Sequence, residues 1–171
     1  RQVRETHSDA TFSFHVQRKE IRRWGSDIIV RDAVTRRLGV ERDAALSPSE
    51  GAHEIALPQW GGVIEMVPCM GDEDGIARSR VTAPEAKLEV RAAVGAVKLK
   101  LWALRPGKAL KDLYAQAGIP AYVRVDMPKL WLNNELLFAA GLGMDVRFAD
   151  DPAKYPDRVK FLWRPDRSLW D

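Results

Sequence analysis

Apolar and polar positions along this chain change period several times, and each change marks an element. Leu110, Leu113, Tyr114 and Ala117 recur at three- and four-residue spacing. That spacing predicts a helix over 108–117 with one apolar stripe to bury. Lys108 and Lys111 fall on another side of it, free for solvent or a polyanion. Gly118 supplies a left-handed stop, and Pro120 cannot continue the same helix, so 120–124 reads as a proline-started turn. Elsewhere the period is two. Leu88-Glu89-Val90-Arg91 alternates as a strand, and 159–163 reads as the last strand. Three pairs of short runs flank turn-forming residues and predict hairpins. These are 20–24 with 28–30 around Gly25-Ser26-Asp27, 53–57 with 63–67 around Gln59-Trp60-Gly61-Gly62, and 129–132 with 135–138 around Asn133-Asn134. Both asparagines tolerate positive φ, which suits a tight turn. A brief helix is expected over 32–38. Loops are expected at 47–51, 71–75 and 149–157, each rich in Gly, Pro, Ser or Asp. The resulting fold class is α+β: mainly antiparallel β-hairpins with one main helix. Thr82-Ala83-Pro84 reads as a linker, with a boundary around 81–85 between two small domains, 1–80 (β-rich) and 81–171 (α+β).

Composition supports a globular chain. Of 171 residues, 46% are hydrophobic and 30% charged, outside the range of disordered sequences. The net charge of +3 is too small to make the whole molecule a strong polyanion binder, so the distribution of charge matters more than its sum. Between Lys98 and Arg124, six basic residues (Lys98, Lys100, Arg105, Lys108, Lys111, Arg124) stand against one acid, Asp112. A second cluster (Arg18, Lys19, Arg22, Arg23, Arg31, Arg36, Arg37) is diluted by Glu20, Asp27 and Asp32, and Asp150, Asp151 and Asp157 make a late loop acidic. A local cationic excess of this kind suits a phosphate-facing edge, although it equally describes a solvated face.

Catalytic chemistry is thinly represented. The single Cys69 excludes an intramolecular disulfide and a multi-cysteine zinc site; it fits a reducing compartment and reads as a core or strand residue. His7, His15 and His53 are too widely spaced to pair on a metal, and His15 reads as a half-exposed strand position. Asp72-Glu73-Asp74 lacks the alternating ligands and distal Glu of a calcium loop. Neither Gly61-Gly62 nor Gly141-Leu142-Gly143 sits in the context of a phosphate-binding loop. No convergent nucleophile, base or metal set emerges, so no catalytic residue and no metal ligand is assigned. The six tryptophans are scattered singly and read as core or hairpin anchors. No apolar run approaches bilayer length and no secretory leader is visible, so a cytoplasmic location and no membrane partner are expected. A chain opening Arg1-Gln2-Val3 without methionine is expected to be part of something longer.

What remains is recognition. The run Leu110-Lys111, Leu113, Gln116, Gly118, Pro120, Tyr122, Arg124, Pro128, Leu130 is followed by the Asn133-Asn134 turn and then by Leu137-Phe138-Ala139-Ala140-Gly141-Leu142-Gly143. Val159-Lys160-Phe161-Leu162-Trp163 closes the series, and 57–68 (LPQWGGVIEMVP) precedes it. In this order the motifs closely resemble the C-terminal domain of the tRNA(Ile)-lysidine synthetase family, over about residues 55–163. Two departures stand out. Arg91-Ala92-Ala93-Val94-Gly95-Ala96-Val97 replaces a polar family loop, and Ala121 replaces the second proline of a Pro-Pro pair.

The resemblance implies a division of labour. In that family an N-terminal catalytic module with an SGGxDS phosphate loop attaches lysine to the wobble cytidine of tRNA(Ile), using ATP and magnesium. That loop is missing here, so no cofactor is expected on this chain, and alone it is expected not to adenylate anything. Residues 1–80 would hold part of the middle substrate-recognition domain and 81–171 the C-terminal tRNA-binding domain. The tRNA-binding candidates are Lys108, Lys111 and Arg124 first, then Lys98, Lys100 and Arg105. Tyr122 is expected to pack the short turn, and Arg124 either to meet phosphate or to brace that turn against a carbonyl. Expected partners are tRNA(Ile) and the catalytic module of the same enzyme, with a homodimer left open. A protein-docking module is the alternative, suggested by the apolar stretch 94–97.

Overall fold

A computed structural model describes residues 13–16, 19–24, 27–32, 42–92 and 95–166 of the chain. The chain divides into two compact units, residues 1–40 with 171, and residues 41–170. In the first unit, β1 (Ser13–Val16), β2 (Lys19–Trp24) and β3 (Asp27–Asp32) form one antiparallel three-stranded sheet. The hairpin expected here is present, but Asp27, read as part of the turn, pairs with Trp24 and opens β3. Of the helix expected over 32–38, Asp32 ends β3 and the rest lies outside the described residues.

The second unit carries two larger sheets. Its elements are β4 (Ala44–Leu46), β5 (Glu54–Leu57), β6 (Gly62–Pro68), β7 (Ile76–Ala77), α1 (Arg78–Thr82), β8 (Leu88–Arg91), β9 (Lys98–Leu99), β10 (Lys108–Ala109), α2 (Leu110–Gln116), α3 (Ala121–Arg124), β11 (Lys129–Leu132), β12 (Glu135–Ala139), β13 (Gly143–Met144) and β14 (Arg158–Pro165). One sheet runs β13-β12-β11-β8-β4 and the other β5-β6-β14-β7, with every neighbouring pair antiparallel. Strand β8 alternates as read: Leu88 and Val90 are buried, while Glu89 and Arg91 are half-buried. Ile55, Leu57, Ile64 and Met66 do the same for the β5–β6 hairpin. The sheets meet through Phe138 and Phe161, whose ring centroids lie 5.7 Å apart. The α+β class, mainly antiparallel hairpins with few helices, therefore holds.

Strands on both sides of residue 81 share the second sheet, because β14 pairs with β6 and β7. The linker expected at Thr82-Ala83-Pro84 falls at the end of α1 and its cap, inside this unit. Arg78 anchors the spot. It is buried, and its Nε donates to both Asp157 carboxylate oxygens at 3.0 and 3.2 Å and its Nη1 to the Ala52 carbonyl at 2.6 Å.

Three sequence expectations need correction. The helix expected over 108–117 begins only at Leu110, because Lys108 and Ala109 pair with β9 as strand β10, so Lys108 lies on a strand and not on the helix. Ala117 is exposed and caps α2, so the buried stripe consists of Leu110, Leu113 and Tyr114 alone; the helix unwinds at Gly118 before Ala117 can turn inward. Trp102 is 48% exposed in the loop after β9, no core anchor, because that loop leaves the sheet at a two-residue strand. Trp60, Trp131 and Trp163 are buried as expected, as is Cys69, and Trp170 lies outside the described residues.

Candidate nucleic-acid interface

Helix α2 ends where its sequence says it must. Gly118 adopts φ +69; its N–H donates to the Ala115 carbonyl at 3.0 Å, and Ile119 N–H donates to the Tyr114 carbonyl at 2.9 Å. This pair of bonds is the Schellman arrangement, which satisfies helix carbonyls that would otherwise lack donors. Pro120 then caps α3 with φ −62 and ψ 150, and its carbonyl accepts from Val123 and Arg124 N–H.

Arg124 braces this corner. Its Nε donates to the Ile119 carbonyl at 2.7 Å, its Nη1 to the Lys111 carbonyl at 3.3 Å, and its guanidinium carbon lies 5.7 Å from the Tyr114 ring centroid. Burial holds the guanidinium below its ordinary pKa. Tyr122 is buried, in keeping with a packing role. The Tyr114 hydroxyl donates to the Ala140 carbonyl at 2.9 Å, and burial pushes the phenol's pKa up.

A residue not anticipated from sequence completes the corner. Lys129 is 4% exposed, its Nζ donates to the Arg124 carbonyl at 2.7 Å, and it sits 5.7 Å from the Tyr114 ring centroid. Burial lowers its pKa from 10.5 to about 8, with Asp126 opposing the shift and Arg42 adding to it. Pro128-Lys129-Leu130 gives no signal, since one lysine at the start of a strand ordinarily faces water.

Around these groups opens a cleft of about 440 Å³, lined by Lys98, Lys111, Arg124 and Lys129 beside Leu110 and Tyr114. No carboxylate lines it among the described residues. Three of the six candidate basic residues thus converge with the unanticipated Lys129. Lys100 belongs to a neighbouring cleft of about 410 Å³, which it shares with Lys98, Arg147 and Glu135. Behind Lys100 and Arg147, Asp145 is fully buried and accepts from Lys100 N–H, Arg147 N–H and the Arg147 side chain. Burial pushes its carboxyl up, but those hydrogen bonds outweigh burial and hold it below the usual carboxylate range.

Two candidates lie apart from both clefts. Lys108 is exposed, its Nζ 3.4 Å from Gln116 Oε1. Arg105 lies over the Trp102 ring, its guanidinium carbon 5.4 Å from the centroid, in the exposed loop between β9 and β10. Among the described residues, no group of three His, Cys, Asp or Glu side chains is gathered as a metal would require. No helix there is long and apolar enough to cross a membrane.

Residues 88–164 match the family model described as the TilS substrate C-terminal domain. The tRNA(Ile)-lysidine synthase of Burkholderia mallei is 32% identical over 120 residues, covering 68% of this chain and 24% of that protein. Its counterpart from Ralstonia nicotianae is 38% identical over 91 residues, covering 53% and 19%. The C-terminal region is related to that of the tRNA(Ile)-lysidine synthases. A third such protein, from Azoarcus sp., is 32% identical over 98 residues, covering 57% of this chain and 18% of its own length. The chain therefore spans less than a quarter of these lysidine synthases. The structure gives a physical reason for two motifs that mark the relationship. A Cβ on Gly141 would lie 2.9 Å from Ile119 Cδ1 and 3.1 Å from Met127 Sδ and Cε. The Gly-Ile-Pro break and the Ala-Ala-Gly-Leu-Gly run are thus two sides of one contact, fastened by the Tyr114–Ala140 bond.

Proposed function

We propose that this chain acts as the tRNA-holding C-terminal part of a tRNA(Ile)-lysidine synthase. The observation that carries this reading is the carboxylate-free cleft, walled by Lys98, Lys111, Arg124 and Lys129 within the family-matched region. Clustered cations neutralise phosphates and release counterions, which gives affinity without reading sequence. Lys108, Lys100 and Arg105 extend the cationic edge beyond the cleft. Holding a substrate in register lowers a barrier without any chemistry by the holding domain. Lysine attachment, with its ATP and magnesium, is assigned to a catalytic module of the same enzyme, working in the cytoplasm.

The test is charge reversal. Lys108→Glu with Lys111→Glu should abolish most filter retention of a tRNA(Ile) transcript while leaving the melting temperature unchanged. Full retention by the folded double variant would refute the reading. It would favour the second one, a protein-docking module, for which the fully exposed Leu104 beside Trp102 is the supporting observation.

A further inference from the structure

Lys129 is a buried ammonium with no anion of its own. It is 4% exposed and enters no salt bridge among the described residues. Of its three N–H donors, one goes to the Arg124 carbonyl; its other contact is the face of Tyr114. Asp126, the carboxylate that acts on it, is held by Arg42 at 3.0 Å. Across the strand pair its backbone partner Arg91 is occupied with Glu89 and Asn134. The other charged groups at the same cleft are Lys98, Lys111 and Arg124, and Tyr114 stays protonated. Among the described residues every charge lining the opening is therefore positive, and only one of the lysine's three donors has a hydrogen-bond acceptor. A purely structural lysine would be paired with a carboxylate or reach water.

We propose that this cleft seats one phosphate group, with Lys129 at its floor as the receiving cation and Lys98 and Lys111 at its mouth. The proposal rests on the tRNA reading, which supplies the phosphate from the RNA backbone; a free phosphate ion shares the chemistry. An anion placed there takes up the unspent donors and offsets the desolvation of the ammonium, so it favours the protonated lysine. The lysine's titration then reports occupancy.

The experiment follows the ¹³Cε resonances of the lysines in the chain, with Lys129 assigned by the signal that Lys129→Met removes. Its midpoint is measured alone, with inorganic phosphate, and with a tRNA(Ile) transcript. We expect the midpoint to rise by about one pH unit with either addition, equivalent to roughly tenfold tighter anion binding to the charged form. A midpoint unmoved by both additions overturns the proposal. A transcript that is retained on filters while Lys129 stays unmoved also overturns it, and leaves the tRNA reading standing. Movement with inorganic phosphate alone likewise overturns RNA as the occupant and leaves only a seat for the free ion.

Discussion

A lysine held in a protein interior lowers stability unless something outside the fold makes use of it. For Lys129 the folded pKa of about 8 lies below its ordinary 10.5. Below pH 8 the group is charged in both folded and unfolded chains, and the cost of burying the charge is fully present. As pH rises from 8 towards 10.5 the folded chain has released the proton and the unfolded chain still holds it, so stability climbs. The gap corresponds to roughly 3 kcal/mol, from which about 1 kcal/mol is offset by the bond to Arg124. Lys129→Met should therefore be about 2 kcal/mol more stable than the native chain at pH 7 by urea unfolding, and that advantage should vanish by pH 10. A native chain more stable than the variant at pH 7 would mean that the lysine is a structural brace. Sequence does not single this residue out. In Lys129-Leu130-Trp131-Leu132 the alternation assigns Lys129 and Trp131 to one face, and a face that opens on lysine is ordinarily wet; all four are buried. The burial comes from α2 and α3 folding across the strand's start, a long-range event with no local mark.

At the scale of elements, the two glycines with positive φ near the corner differ in what surrounds them. At Gly118 (φ +69) an added Cβ would meet no atom within 4 Å, whereas at Gly141 (φ +80) it would press against Ile119 and Met127. Gly118→Ala carries only the left-handed backbone penalty, about 1–2 kcal/mol. Gly141→Ala carries the same penalty plus displacement of two packed side chains, for a total of about 2–4 kcal/mol. Urea midpoints of the two variants should therefore fall in that order, and equal losses would show that the corner and the 139–143 run pack less tightly than they stand. The Gly118 stop, the Asn133-Asn134 turn with φ 50 and 66, and strand β8 are all legible in the sequence, because each rests on a local rule of backbone or period. The Gly141 contact is not, since it joins residues 22 apart in the chain. Strand β10 is equally hidden, for its two residues carry no period and read as the start of the helix.

For the whole molecule, a net charge of +3 and a cation-walled cleft make opposite suggestions about binding RNA. They are reconciled by where the acids are engaged. Asp150, Asp151 and Asp157 do not line the cleft, and Asp150 and Asp157 are paired with Arg80 and Arg78, so the acidic loop does not take up the cations at the corner. Affinity should depend on the few cations that reach the backbone and hardly at all on the total. If four phosphates are neutralised, one in the cleft by Lys98, Lys111 and Lys129 together and three along the edge that Lys100, Arg105 and Lys108 carry, the affinity for tRNA should fall roughly 100-fold between 50 and 200 mM salt. Removing one edge cation, as in Lys108→Met, should lower the slope of the log–log plot by about one contact. Neutralising an acid of the late loop, as in Asp151→Asn, should leave the slope as it was. Filter binding across a salt series separates the cases: a slope that responds to Asp151 as strongly as to Lys108 would mean that the total charge governs association and that the cationic edge has no special place in it.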